Sequence, residues 1–106
     1  MSELDQVSDA FRTFQQEAKG HADAWMNAVM QLGRASALDP KTGALAYLAV
    51  LSALRLVSGV PFHVKHARSL GATRDEIISA VLVGLPAAGT GVTQALPVAL
   101  DAYDRE

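Results

Sequence analysis

Two histidines, His63 and His66, are the side chains best suited to proton transfer, because an unperturbed imidazole titrates close to neutral pH. They lie in the stretch VSGVPFHVKHARSLG, residues 57–71. A spacing of three places both imidazoles near one face of a helix, and burial of that face would disfavour the charged form of His63. His63 is therefore either a general acid or base in an apolar site or a histidine bonded within the core.

Other side chains near this stretch could bind a substrate. Arg55 could hold a substrate carboxylate, although a structural pair with an acid of the core or of a neighbouring subunit is the favoured alternative. Thr90 lies in a Gly-Thr-Gly segment that either cradles an anion or forms a tight turn between helices, and it lacks the lysine of a phosphate-binding loop. The two histidines have no third ligand for a metal. We therefore expect no metal and no cofactor.

The histidines are positioned by a helix that begins near Pro61 and ends at Gly71. Proline suits a first helical position because its φ is fixed and its missing N–H would be unpaired there. Glycine readily adopts the left-handed conformation that ends helices. On this helix Lys65, Arg68 and Ser69 can point to water.

The segments before and after this helix also predict helices. Asp39 and Pro40 form a helix start, and the residues from 44 to 57 are apolar on nearly all faces, as in a helix buried within a larger assembly. Thr73 and Glu76 form a capping box for the next helix. Residues 86–91 predict a flexible loop, and Pro97 should kink the last helix.

The amino-terminal third predicts amphipathic helix. Apolar residues recur three and four apart from Leu4 through Val7 and onward to Leu32, so Gly20 either ends one helix or kinks a longer one. The aromatic residues Phe11 and Trp25 belong to the same pattern and indicate a core or an interface. With no alternating strand pattern anywhere in the chain, the predicted fold class is all-α.

The composition limits the classes of partner. The 106 residues suffice for one domain with its own core. Hydrophobic residues make up 50% of the chain and charged residues only 19%, which favours a subunit interface over an isolated monomer. A net charge of −2 with scattered basic residues predicts no nucleic-acid partner. With no cysteine, the chain has neither a disulfide nor a thiolate nucleophile.

The sequence shows no targeting or membrane segment. The first ten residues, MSELDQVSDA, carry acids where a secretory signal carries basic residues. The most apolar run, residues 44–54, is about half of the ~20 residues that span a bilayer. We expect a cytoplasmic protein with no membrane partner.

An ordered set of motifs resembles the carboxymuconolactone decarboxylase and alkylhydroperoxidase D superfamily. The set comprises LDPKTGALAYLAV, a helix-breaking turn with a histidine, GATRDEIISAVLVGLP, a glycine-rich loop and ALPVALDAYD. The resemblance covers residues 38–104, so we describe the chain as one family domain, 1–106, with residues 1–37 as an amino-terminal helical segment. It implies an all-helical domain built on an antiparallel helix pair. It also implies assembly through buried helices into a homohexamer, with a homotrimer as the alternative.

The resemblance singles out His63, which lies eight residues before Gly71, as the family's histidine does before its glycine. The peroxidase branch carries a C-x-x-C pair, for which Leu56 and Gly59 stand here, and a glutamate, for which Ala44 stands here. Dithiol peroxide reduction by this chain alone is thereby excluded, because the thiolate is the attacking group.

The resemblance implies a decarboxylase-like lyase in which His63 transfers a proton on a small carboxylate or lactone. His66 matches no family position, and it is a candidate substrate-binding residue, with Arg55 and Thr90, on its own chemistry. One alternative is a non-catalytic oligomer that binds a small ligand or a partner. A more distant alternative is a peroxidase-family protein that has lost its C-x-x-C activity.

Overall fold

The structure is a computed structural model and describes residues 8–105. This part of the chain is helical and contains no strand, which confirms the all-α class. Its seven α-helices are α1 (Asp9–Glu17), α2 (Lys19–Ala35), α3 (Pro40–Ala53), α4 (Val60–Ser69), α5 (Arg74–Leu82), α6 (Leu85–Ala88) and α7 (Leu96–Asp104). Two 3₁₀ turns, Val57–Gly59 and Thr90–Ala95, precede α4 and α7.

Four helices form the core. The helix α3 packs on α4 and α5, and α7 packs on the same two helices. Burial of their apolar side chains supplies most of the driving force for folding. The largest fully buried apolar side chains are Leu48 of α3, Val60 and Val64 of α4, Ile77 and Val81 of α5, and Val92 of the second 3₁₀ turn.

The helices α3 and α4 run antiparallel. The side chain of Leu51 lies over Gly59, where the turn enters α4, and Tyr47, one turn earlier on α3, contacts His63, one turn later on α4. The contacts thus proceed in opposite directions along the two helices. This pairing places the middle of α3 beside the histidine.

Three predicted helix boundaries around the site are confirmed, namely the starts of α3 and α5 and the end of α4. Oδ2 of Asp39 accepts a hydrogen bond from the N–H of Thr42 at 3.2 Å. Thr73 and Glu76 form both bonds of the capping box, at 3.1 and 2.9 Å. Gly71 ends α4 with φ 97°. These signals are local, because each depends on residues within one helical turn.

The helix α4 is also bonded to the carboxyl end of α7. Nη1 of Arg68 donates to the carbonyl oxygen of Tyr103 at 3.1 Å, and Nζ of Lys65 donates to the carbonyl oxygen of Arg105. Both contacts lie at the surface, where Lys65 and Arg68 were expected, but each side chain has a carbonyl partner that the sequence did not indicate. Both cations bind carbonyl groups at the negative end of the α7 dipole, which have no partner within that helix.

The break in the amino-terminal region lies at Ala18 and not at Gly20. Ala18 has φ −129° and ψ 54°, whereas Gly20 lies inside α2. A glycine costs a helix only about 1 kcal/mol relative to alanine, which does not suffice to end this 17-residue helix. Nothing in the sequence marks Ala18 as the break. The predicted positions Leu4 and Val7 lie outside the described residues.

Pro97 was expected to kink the last helix and Pro86 to open a loop, but each lies in the first turn of a helix, namely α7 for Pro97 and the short α6 for Pro86. At these positions the missing N–H has no helical partner to lose. Residues 86–91 are therefore not a loop throughout, and α7 is not kinked at Pro97.

The helix α3 ends at Ala53, four residues earlier than expected, in a Schellman motif. The N–H of Leu56 bonds the carbonyl oxygen of Leu51 at 2.9 Å, and the N–H of Arg55 bonds that of Ser52 at 3.2 Å. Arg55 has φ 59°, a left-handed conformation in which glycine is usual. The backbone of Arg55 is therefore strained at the turn into α4.

Replacement of Arg55 by glycine should raise the free energy of unfolding by about 0.5–1 kcal/mol, because glycine relieves most of the left-handed strain. Urea denaturation monitored by circular dichroism measures the change. Arg55→Ala is the matched control, since it removes the same side chain but keeps the strain. Equal destabilisation by both variants would contradict this account and would show that the guanidinium contacts dominate.

No helix in the described part of the chain is both long and apolar enough to cross a bilayer.

Candidate functional site

His63 lies between two aromatic rings at the surface where α3 meets α4. Its ring centroid is 4.6 Å from that of Tyr47 and 5.2 Å from that of Phe62, the latter in an edge arrangement at 79°. His63 is half-buried, whereas Tyr47 is 48% and Phe62 41% exposed. Both rings contact the imidazole, one tilted by 50° and one edge-on, and both remain partly exposed beside it.

Burial lowers the pKa of His63 below its ordinary value of 6.5, and the nearby charge of His66 lowers it further. Low polarity around the ring disfavours the charged imidazolium, and a second cation one turn away adds repulsion. Neither nitrogen of His63 has a hydrogen-bond partner among residues 8–105, so it is not bonded within the core. A neutral imidazole with free nitrogens can accept a proton, and its conjugate acid is a stronger donor than ordinary histidine.

His66 is exposed on the next turn of α4. It makes no ring contact with His63 and acts on it through charge alone. Within the described ranges no three histidine or carboxylate side chains lie close enough together to hold a metal ion. The structure thus brings the two histidines to the same side of α4 without a third ligand beside them.

Arg55 and the segment around Thr90 form a separate group. The guanidinium of Arg55 lies against the backbone of Gly91, where a Cβ atom would come within 2.6 Å of Cζ. Thr90 is exposed, and its carbonyl oxygen accepts a bond from Oγ1 of Thr93 at 2.7 Å. No acid of residues 8–105 pairs with Arg55, and no hydrogen bond or ring contact joins either residue to His63.

The positions that carry sulfur and carboxylate in the peroxidase branch are apolar here. Leu56 is 51% exposed in the turn before α4, and Ala44 packs against the core from α3. Gly59 lies under the side chain of Leu51. These side chains offer neither a nucleophile nor a proton relay.

Two residues of the site, Tyr47 and Phe62, were not predicted from the sequence. Tyr47 stands sixteen residues before His63, and only the antiparallel packing of α3 on α4 brings the two rings together. The one available signal was a phenol in an otherwise apolar run. Phe62 precedes the histidine directly in the sequence, and that adjacency was the available signal for it.

Replacement of His66 by glutamine should raise the pKa of His63, because it removes the second cause of the depression while the burial remains. The value should still lie below 6.5. Titration of the imidazole signals by NMR measures it directly and needs no substrate. Lys65→Gln on the same helix is the control, since the Lys65 charge is not a cause of the shift. An unchanged pKa in His66→Gln would rule out the electrostatic coupling.

Comparison with known proteins adds one finding. The model of the carboxymuconolactone decarboxylase family matches residues 20–101, which include α3 to α5 and both groups of site residues. No curated protein and no solved structure shows significant similarity to the chain.

Proposed function

The chain belongs to the carboxymuconolactone decarboxylase family, and from this premise we propose that it is a proton-transfer enzyme of the decarboxylase type. Its substrate is a small carboxylate or lactone, and His63 is its catalytic residue. The observation that carries this proposal is the half-buried imidazole that contacts Tyr47 and Phe62 and has no hydrogen bond to any residue in the range 8–105. Such a group can exchange a proton with a substrate without first breaking a protein hydrogen bond.

The chemistry of a decarboxylation fits this arrangement. The bond between the carboxylate carbon and the substrate breaks, and its electron pair is delocalised into the conjugated lactone carbonyl. The imidazolium of His63 then delivers a proton to the carbon that lost carbon dioxide, and the neutral imidazole regains a proton from water. A depressed pKa strengthens the acid that performs this step.

We assign substrate binding to His66, Arg55 and Thr90. No acid among residues 8–105 pairs with the guanidinium of Arg55 at the turn into α4, and a guanidinium matches the geometry of a carboxylate. Thr90 is the neighbour of Gly91, on which that guanidinium packs. His66 offers a second imidazole one turn from His63. Arg55 and Thr90 would thus hold a polar part of the substrate while His63 acts on the reacting carbon.

The proposed assembly is a homohexamer, with a homotrimer as the alternative. The helix α3 is apolar around its circumference, yet Tyr47, Val50 and Leu54 are 48%, 52% and 62% exposed in the single chain. Exposed apolar surface of this extent marks a contact site in soluble proteins. A neighbouring copy covering α3 would also bury the site further.

A non-catalytic, ligand-binding role is the second candidate. The observation that favours it is that no carboxylate within residues 8–105 orients the imidazole of His63, whereas catalytic histidines are commonly held by one. The same surface could then bind a small apolar ligand or a partner without turnover.

Release of carbon dioxide from carboxymuconolactone and from a panel of related lactone carboxylates tests the proposal. We expect release above the uncatalysed rate for at least one compound. Binding without release across the panel would support the second candidate and overturn the first. Incubation with hydrogen peroxide and a dithiol should show no consumption above the blank, because the chain has no thiol.

A further inference from the structure

The hydroxyl group of Tyr47 is a polar group that the fold does not use. Within residues 44–53 of α3, only Tyr47 and Ser52 carry polar side chains. Oγ of Ser52 is buried and donates to the carbonyl oxygen of Leu48 at 2.8 Å. The hydroxyl of Tyr47 bonds no residue in the range 8–105, and its side chain is 48% exposed. It can therefore bind a molecule from outside the chain.

The other tyrosine, Tyr103, shows how this chain uses a structural hydroxyl. Its hydroxyl donates to the carbonyl oxygen of Ala72 at 3.0 Å and thereby ties α7 to the turn after α4. A phenylalanine in place of Tyr47 would keep the ring contact with His63, because that contact needs no hydroxyl. The hydroxyl of Tyr47 thus contributes to neither the packing nor the hydrogen bonding of residues 8–105.

Tyr47 and His63 can reach the same small molecule. Their ring centroids lie 4.6 Å apart, and both side chains are partly exposed. The neighbouring side chains on this surface include Val50, three residues further on the same face of α3, and Phe62 on α4. Neither has a polar atom. A substrate whose reacting carbon faces His63 would therefore meet the phenol of Tyr47 as a hydrogen-bond donor.

The other donors near α4 are bonded already or lie apart from the imidazole. The lysine and the arginine of α4 bind carbonyl groups at the end of α7. The guanidinium of Arg55 lies against a different segment. His66 is exposed on the next turn and makes no ring contact with His63. Tyr47 is thus the donor in direct contact with the imidazole.

We propose that Tyr47 is a second catalytic residue, whose hydroxyl donates a hydrogen bond to the lactone carbonyl oxygen of the substrate. This inference rests on the proposed function. As the bond to the carboxylate carbon breaks, carbon dioxide leaves and the electron pair moves onto that oxygen as an enolate. Tyr47 keeps its proton and stabilises the negative charge, and the pair returns to carbon when the imidazolium of His63 delivers its proton there. Donors aimed at a developing charge are a main source of transition-state stabilisation.

Steady-state kinetics of Tyr47→Phe tests the proposal, because this variant loses the hydroxyl and keeps the ring beside His63. We expect kcat for a decarboxylated lactone carboxylate to fall about 10²-fold, at the lower end of the usual cost of losing one such donor. KM should change little, since the bond strengthens as the charge develops. Tyr103→Phe is the matched control and should lower the melting temperature without changing kcat. An undiminished kcat in Tyr47→Phe would overturn the role of Tyr47 and leave the proposed function intact.

NMR titration of His63 separates the hydroxyl from the ring. Tyr47→Phe should leave the pKa of His63 unchanged, because the ring that helps to bury the imidazole remains. Tyr47→Leu removes that ring and should raise the pKa toward 6.5. A loss of kcat in Tyr47→Phe together with a shifted pKa of His63 would show that Tyr47 acts only through the imidazole, which would overturn the proposed bond to the substrate.

Calorimetric binding of an unsaturated lactone without a carboxylate tests the same bond in the absence of turnover. Tyr47→Phe should bind this probe about 2–10-fold more weakly than the unmodified chain, the range for one neutral hydrogen bond, and Tyr103→Phe should bind it equally well. If the unmodified chain decarboxylates no compound, the proposed function fails, and this comparison alone decides on the contact with Tyr47. Equal binding by Tyr47→Phe, or no binding by the unmodified chain, would overturn that contact.

Discussion

Replacement of His63 by glutamine should lower kcat/KM for the decarboxylated substrate by about 10²–10⁴-fold, the usual contribution of a positioned general acid. Glutamine fills a similar space but has no titratable proton, so the proton that replaces carbon dioxide must come from water. Folding should change little, because His63 is half-buried and no described residue is hydrogen-bonded to its side chain. Steady-state kinetics and thermal unfolding of the same preparation measure both effects.

His21→Gln is the matched control for this substitution, since His21 is exposed on α2 and lies outside the site. It should leave kcat/KM and the melting temperature unchanged. If His63→Gln unfolds or dissociates instead of losing activity, His63 is a structural residue and the catalytic assignment is wrong.

Replacement of Leu48 by alanine should lower the free energy of unfolding by about 2–5 kcal/mol, which is the usual cost of truncating a buried leucine. Leu48 is 0% exposed at the centre of α3. Truncation of its side chain therefore leaves a cavity in the core. Because Tyr47 is its neighbour on the helix, loosening of α3 should also weaken the contact with His63. Urea denaturation of the dissociated chain measures the loss.

Leu54→Ala makes the same chemical change near the end of the same helix, at a side chain that is 62% exposed. In the dissociated chain it should cost well under half as much as Leu48→Ala. Similar losses for the two variants would show that α3 is not packed as described.

The sequence predicted the starts of α3 and α5 and the end of α4 because their signals are local. Asp39 bonds a backbone N–H within the first turn of α3, and Thr73 with Glu76 does the same for α5. Gly71 supplies a left-handed residue at the end of α4. In each case the partners lie three or four residues apart, so the residue types alone identify the arrangement.

The prolines and Arg55 show where local signals fail. Proline disfavours the interior of a helix but fits its first turn. Which of the two applies to Pro97 depends on where α7 begins. The end of α3 was misplaced by four residues because its left-handed position is held by Arg55 and not by glycine. The turn is closed by the bonds from Arg55 and Leu56 to carbonyl groups at the end of α3, which the residue types did not indicate.

The candidate site was predicted only in part, because some of its contacts arise from the packing of one helix on another. His63 was identified from its place in a motif, but Tyr47 reaches it only through the packing of α3 on α4. Lys65 and Arg68 lie at the surface as expected, but they also bind carbonyl groups more than thirty residues away in the sequence. Such contacts have no signature in the local sequence.

The most direct test of the account compares the pKa of His63 with the pH dependence of turnover. Because the imidazolium is the proposed proton donor, kcat/KM should fall as the pH rises through the pKa of His63, which lies below 6.5. The midpoint of that profile should equal the value from NMR titration, and His66→Gln should raise both by the same amount. A profile whose midpoint stays fixed while the NMR value rises would contradict the assignment of His63 as the catalytic proton donor.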